Sequence, residues 1–467
     1  MRRVLFFLLA AVPFLTMCCK TTSQEQLKPR IVVLTDIAPG NIEPDDMESM
    51  VRLMTYADQY EIEALITTTG WNCDPYPTSW ADSLHRVINA YELDVWNLMK
   101  RSEQTEFKPL TNEQGQQTLG YWPSPDYLRS RVAMGSQRSG IGVIGKDNDT
   151  PGSELIIRLV DEEDARPLWI TCWGGGNTLA QAIWKVQQER SPEELKAFLN
   201  KLRVYTITDQ DMVYAMRMDR AYSSHQWMRR EFADDLLFIW DESAWLSQNA
   251  LGSRNWDKYA ARIQGRANLG KAYPTYKWGV EGDTPSYLNV MPNGLHDPSR
   301  PEQIGWAGCF RRGICPDSLT VAWTNCNQPM KGISRKYEER FYPDTFDDFA
   351  ARMDWAADGK GNRNPVISLN GTVNYMPEYI SVNAGSVVKA DLSESYDPDG
   401  DDVEFTWWTQ KDAGNYDGEP SVETSGSVAS IHVPADAAGT EIHLICEARD
   451  NGKPSLVSYR RIVLTIL

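Results

Sequence analysis

The sequence predicts a doubly wound α/β domain with a mainly parallel sheet, followed by an all-β sandwich. Three observations carry this. From Arg30 to about Asp358, apolar strand-like runs alternate with helix-period segments. The stretch GKGNRNP at 359–365 then breaks that rhythm with turn-forming residues. Beyond it, residues 366–467 hold short β-like stretches separated by turn signals. The 467 residues suit two or three domains at about 100–200 residues each.

The N-terminus comes first. Arg2 and Arg3 precede the apolar run Val4 to Leu15, and Thr16-Met17-Cys18-Cys19 follow. A basic start and a short apolar run read as a secretory signal, too short to span a membrane. The cysteine pair resembles a bacterial lipoprotein signal, with Cys18 or Cys19 as the lipidated residue, although Met17 is larger than the usual preceding residue. Residues 1–19 are therefore expected to be a signal peptide, and the protein to be exported, periplasmic or cell-surface, and lipid-anchored. No later run reaches the ~18 apolar residues of a membrane span, so the only expected membrane contact is that anchor.

The α/β domain is expected over residues 29–358. Arg30–Thr35 (RIVVLT) has the continuous Val/Ile character of a buried parallel strand. Met47, Met50, Val51 and Met54 then recur at helical spacing, and Glu61–Thr69 reads as the next strand. This βαβ opening sets a parallel sheet. The pattern continues with a helix over 153–164, a strand over 167–172, and a Gly-rich turn. A helix over 177–189 and strands over 202–208 and 236–240 follow. Residues 245–300 show few regular elements, as a lid or rim would. A helix over 345–357 closes the domain, 359–365 is a linker, and 366–467 is the sandwich. That sandwich looks like the immunoglobulin-like modules appended to exported carbohydrate-active proteins, without the Cys–Trp–Cys set of true immunoglobulin domains.

Composition narrows the partners. Lys plus Arg is 47 against 64 Asp plus Glu, a formal charge of −17. That excludes binding to nucleic acid through phosphate neutralisation, and disfavours an anionic membrane surface. Trp (17) outnumbers Phe (12), and with 20 Tyr this leans toward a carbohydrate ligand, since sugar faces stack on flat rings. Six cysteines remain beyond the signal. Cys309, Cys315 and Cys326 are close enough in sequence for a disulfide, but lack paired zinc-ligand spacing. Neither a G-x-S-x-G elbow nor a P-loop occurs.

The stretch most informative about chemistry is Thr35-Asp36 through Glu43-Pro44-Asp45-Asp46. Asp36 falls at the carboxyl end of the first strand, where open parallel sheets bind ligands. Asp45 and Asp46 open the next helix, and Glu43 precedes them. Converging carboxylates suit calcium, which takes six to eight oxygen ligands. A carboxylate base beside a bound water then suits hydrolysis. A capping box pairing Asp45 with Glu48, and the helix dipole, account for part of the cluster. They leave Asp36 and the second consecutive Asp unexplained.

These residues resemble the calcium-dependent nucleoside hydrolase signature. The whole chain is similar to a family of exported cellulose-binding proteins with a nucleoside hydrolase-like N-terminal domain and an immunoglobulin-like C-terminal domain. The resemblance rests on LTD…EPDDMESMVRLM, YEIEALITTTGW, WGGGNTLAQAI, ITDQD and GDTPSYLNVMPNGLHDP. It implies that Asp36 is general base and metal ligand, and that Asp45 and Asp46 contact metal and sugar hydroxyls. It further implies a metal-binding carbonyl near Asn177, a leaving-group acid at His296 and a metal ligand at Asp297. Three departures stand out. Leu34 replaces the first Asp of the signature, the loop from Asp36 to Asp45 is longer, and the middle-loop Thr is not cleanly present.

Further candidates follow from position. Asp209 and Asp211 sit at a strand's carboxyl end, where they suit either substrate hydroxyls or a solvated turn. Glu281 and Asp283 lie in the irregular stretch, where sugar contact competes with an ordinary loop surface. Trp71, Trp173 and Trp306 flank strand-end segments and suit a stacking wall or core. The run DPDGDD at 397–402 suits a turn or a calcium loop. The expected function is metal-dependent hydrolysis of an N- or O-glycosidic bond to a furanose-like sugar, from a nucleoside or a plant glycan fragment. The competing expectation is cellulose or carbohydrate binding without turnover. Oligomeric state is not legible.

Overall fold

A computed structural model describes residues 26–211 and 222–467. The predicted signal segment 1–19, with Arg2, Arg3, Cys18 and Cys19, lies outside the described residues.

Eight strands form the first sheet: β1 (Arg30–Thr35), β2 (Glu61–Thr67), β3 (Val132–Met134), β4 (Leu168–Cys172), β5 (Leu202–Ile207), β6 (Leu237–Asp241), β7 (Arg311–Ile314) and β8 (Val321–Thr324). Their order is β3-β2-β1-β4-β5-β6-β8-β7, and every neighbouring pair is parallel except β7–β8. The apolar run of β1 is buried along its whole length because both faces are covered. Ile31 and Val33 enter one core layer, with the helices Pro44–Thr55, Asp82–Arg101 and Met330–Asp358. Val32 and Leu34 enter the other, with the helices Pro151–Asp161 and Asn177–Glu189. The two-residue period of a strand thus serves two layers at once. Strand order reverses between β1 and β4, which opens a crevice at their carboxyl ends.

Two sequence readings change here. The stretch 245–300 contains short helices, including Ala244–Gln248 (π-helical), Asn249–Arg254, Trp256–Arg262, Ala267–Ala272 and Thr284–Leu288. Elements of five to seven residues are too short to display a 3.6-residue period. The closing helix begins at Met330, ahead of the expected start, and runs through Pro343 to a left-handed Gly359 (φ 72°). An internal Pro is an ordinary stop signal, overridden here by packing of the flanking turns.

The C-terminal strands are β9 (Ser368–Leu369), β10 (Thr372–Val373), β11 (Glu378–Val382), β12 (Val387–Asp391), β13 (Val403–Thr409), β14 (Ser421–Ser425), β15 (Val428–His432), β16 (Glu441–Asp450) and β17 (Val457–Ile466). The sheets β11-β17-β16-β13 and β12-β15-β14 pack around Ala390, Ile431, Leu444, Cys446, Ile462 and Leu464 as a β-sandwich. All six described cysteines are free, so the disulfide considered for Cys309, Cys315 and Cys326 does not form.

The two domains share a solid junction. Buried Arg461 donates to the carbonyls of Leu295 (2.5 Å) and Ile304 (2.9 Å). Trp408 stacks on Tyr337 (6.3 Å between ring centroids), and the Tyr459 hydroxyl donates to Asp344 (2.9 Å). Even the linker is tied down: Asn362 donates to Asp450 (2.8 Å), and Arg363 pairs with Asp399 (3.0 Å). Asp397 Oδ1 accepts from the Asp399 amide (2.7 Å), so the DPDGDD run is a turn.

Candidate active site

Asp36 leaves the end of β1 and is almost fully buried. Its carboxylate lies against Gly70 after β2 and Gly174 after β4. A β-carbon at residue 70 would fall 1.6 Å from Asp36 Oδ2, so only glycine leaves room for this side chain. Asp46, in the first turn of the helix Pro44–Thr55, accepts from the Thr35 hydroxyl. The same hydroxyl accepts from the Ile37 amide (3.0 Å), which fixes the strand end around the acid. Glu43 accepts from Asn72. Glu43, Asp45 and Asp46 bring carboxylate oxygens within 4.8 Å of one another.

A fifth acid arrives from far along the chain. Asp283 precedes the helix Thr284–Leu288, yet its side chain makes no capping bond. It is buried facing the cluster, and the charges of Asp46, Asp45, Asp36 and Glu43 all act on it. The sequence offers it, beside Glu281, as a sugar contact or an ordinary loop surface, and not as part of the acidic cluster.

Electrostatics follow from this crowding. Burial, then the neighbouring carboxylates, pushes Asp36, Asp46 and Asp283 well above the usual carboxylate range. Burial raises Asp45 to about 6, partly opposed by backbone amides at the helix start. Burial and Asp45 raise Glu43 to about 8, against the pull of Asn72 and Lys277. No Lys or Arg forms an ion pair with any of the five among the described residues. Asp36 Oδ2, Asp45 Oδ1 and Asp283 Oδ2 are buried oxygens with no hydrogen-bond partner. Unpaired carboxylate oxygens converging from three segments make a donor set of the kind a hard divalent cation accepts.

The cluster forms one wall of a cleft of about 360 Å³, lined also by Trp71, Asn72, Gln210, Trp245, Asn249 and Trp278. Trp71 and Trp245 meet edge to face (5.8 Å), and the Trp71 indole donates to the Asp209 carbonyl (3.2 Å). The volume suits a small ligand, and three indoles beside polar groups suit a sugar ring.

Several expected residues lie elsewhere. Asp209 and Asp211 are fully buried beneath the floor: Thr208 and Gln210 face the cleft, and the Asp side chains point inward to Ser223 and Ser224. Glu281 is held by Arg52 (2.6 Å) and the Tyr273 hydroxyl (2.9 Å), so both its oxygens are engaged away from the cleft. Glu48 accepts from the Glu281 amide (2.7 Å) instead of closing a capping box with Asp45. Asn177 is the buried first residue of a helix, and its side-chain amide donates to the Gly140 carbonyl (2.7 Å). Leu34 lies in an apolar layer and offers no ligand.

His296 and Asp297 line a different cavity, shared with Lys28, Pro29, Arg166 and Trp169 at the amino end of the sheet. His296 Nε2 meets the Asn289 carbonyl (2.8 Å), and burial with nearby Arg461 pulls the imidazole down to about 3. Asp297 accepts from the Ser299 amide (2.8 Å) and sits in the field of Arg203. The resemblance implied that this pair stands beside the acids; the chain's path from Asp283 carries it to the amino end of the sheet. Trp173 and Trp306 are core residues, bonded to Ser286 (2.7 Å) and Tyr459 (3.4 Å).

Comparison with known proteins agrees with this architecture. Residues 30–310 match the family model "cellulose-binding Sde182, nucleoside hydrolase-like domain". Residues 387–466 match the C-terminal domain of the cellulose-binding protein Sde0182. A nucleoside hydrolase-related hypothetical protein from Saccharophagus degradans, described as associated with carbohydrate metabolism, is similar in structure (TM-score 0.79, 34% identity). The match covers 94% of this chain and 100% of that one. Titin domain M4 matches 23% of this chain and 100% of its own at 9% identity, with TM-score 0.16. No curated protein matches the sequence.

Proposed function

This chain belongs to the cellulose-binding family with a nucleoside hydrolase-like domain, and from that premise we propose that it is an exported, lipid-tethered, calcium-dependent hydrolase of a glycosidic bond. The substrate is a furanose-like unit of a plant glycan fragment or a nucleoside. One observation carries the reading: the buried, unpartnered oxygens of Asp36, Asp45 and Asp283 belong to one acidic cluster, whose Glu43, Asp45 and Asp46 line a cleft walled by indoles.

Asp36, Asp45, Asp46 and Asp283 would hold the calcium. When bound, it neutralises the acids and grips vicinal hydroxyls of the sugar. The protein's own steps are then few. Trp71, Trp245 and Trp278 hold the ring by stacking. Asp36, seated against Gly70, takes a proton from water; the oxygen adds to the oxocarbenium-like anomeric carbon as the glycosidic bond breaks, and the leaving group departs with the bonding pair and gains a proton from solvent water, to which Asp36 returns its own.

A second reading is carbohydrate binding without turnover. His296, the expected leaving-group acid, lies at the other pole, and none of the described residues lining the cleft is a histidine. Furanosides, nucleosides and plant oligosaccharides incubated with calcium or chelator separate the two. Calcium-dependent release of free sugar, lost in Asp36→Asn while binding persists, supports hydrolysis. Binding without product across the panel overturns it and leaves the second reading.

A further inference from the structure

We propose that Asp209, Asp211 and His225 form a second metal site, enclosed behind the cleft floor and suited to a zinc-class divalent cation. The three residues are fully buried, and each offers a ligand atom within 4.8 Å of the others. His225 Nε2 stands 3.9 Å from Asp211 Oδ1.

The imidazole carries the argument. Among the described residues neither ring nitrogen of His225 has a hydrogen-bond partner, although the side chain is wholly enclosed. A buried imidazole has at least one donor nitrogen and, when neutral, one acceptor nitrogen. Leaving both unmade is unfavourable, and such a group calls for an explanation. A cation between Nε2 and the two carboxylates provides one.

Three further observations agree. The carboxylates are already oriented from outside: Ser223 Oγ donates to Asp209 (2.7 Å), and the amides of Gly176 (2.9 Å) and Ser224 (2.5 Å) donate to Asp211. Metal-ligating carboxylates are held in this way. The backbone leaves space for the ring, since a β-carbon at Gly176 would fall 2.4 Å from His225 Nε2. Charge is also unbalanced among the described residues: Arg229 reaches Asp209 (3.4 Å) and Asp317 (3.0 Å) but not Asp211, so the three buried carboxylates face a single guanidinium. A divalent ion matches the remainder. The mixed nitrogen and oxygen donors favour zinc over calcium, which prefers oxygen alone.

This site is separate from the acids of the cleft, and its test does not depend on turnover. The full-length protein is stripped with chelator, dialysed against zinc in excess calcium, and its metal content measured. One zinc per chain is expected in the wild type and in Asp46→Asn, and none in His225→Gln. X-ray absorption of the zinc-loaded wild type should show one imidazole among oxygen ligands, a readout that stands even if His225→Gln does not fold. No zinc retained by the wild type, zinc retained by folded His225→Gln, or a ligand shell without imidazole overturns the proposal.

Discussion

The two ends of the large sheet bury acids in opposite ways. At the amino end, carboxylates meet cations of the same chain: Arg30 pairs with Glu63 (2.5 Å), and Arg166 with Glu61 (2.7 Å) and Asp164 (2.6 Å). At the carboxyl end, Asp36, Glu43, Asp45, Asp46 and Asp283 crowd together with no such partner among the described residues. Burial penalises charge equally at both ends. The amino end is therefore self-sufficient, whereas the carboxyl end takes its neutrality from protons or from a ligand. The first is built for stability and the second for binding.

The comparison can be broken most forcefully at Asp36. Loss of a positioned base lowers turnover by about 10²–10⁴-fold, so Asp36→Asn should show that loss in single-turnover product release. Its sugar affinity by calorimetry should stay close to wild type. Equal losses in both would make Asp36 a binding residue only.

At the other pole, Arg30→Met should destabilise the fold by about 3–5 kcal/mol, because it strands a buried Glu63. Denaturant melts should give the same loss with calcium or chelator. Dependence on calcium would show that the two ends are not independent.

Calcium itself, at a hundred times its dissociation constant, should stabilise the wild type by about 2.7 kcal/mol. The shift should disappear in Asp46→Asn. A wild type indifferent to calcium would turn the acids into a site without a metal.

The gentlest test is pH. Asp45 is raised to about 6 and Glu43 to about 8 in the fold, above unfolded values of about 4. Between those limits the folded state holds protons that the unfolded state has released. The contribution of these two acids to stability in chelator is therefore greatest below about pH 4 and falls as pH rises toward 8. Denaturant midpoints across that range measure it, and calcium should flatten the fall. A flat profile in chelator would mean that the cluster is already neutralised from within the protein.

What was legible in the sequence followed the local chain. β1 and its terminal Asp36 announce themselves through an apolar run that ends in an acid, and Asp45 and Asp46 follow at a helix start. Asp283, read as a sugar contact or a loop surface, joins the acids only through a fold-back that no local pattern encodes. His296-Asp297 shows the converse error, a pair of suitable chemistry carried to the wrong pole. Asp209 and Asp211 failed as cleft residues for a simpler reason. Their neighbours Thr208 and Gln210 occupy the outward positions of the same turn. The sandwich was legible as strands, but its fixed seat on Arg461 and Trp408 was not, since the GKGNRNP segment reads as a loose connector.

The direction in which β1 runs also sets an orientation in space. The described chain enters at Gln26 and Lys28, which line the amino-end cavity, and reaches Asp36 only after crossing the sheet. A lipid anchor of the kind proposed would therefore join the described domain at the pole away from the indole-lined cleft, leaving that opening free to meet polymer too large to approach a bilayer.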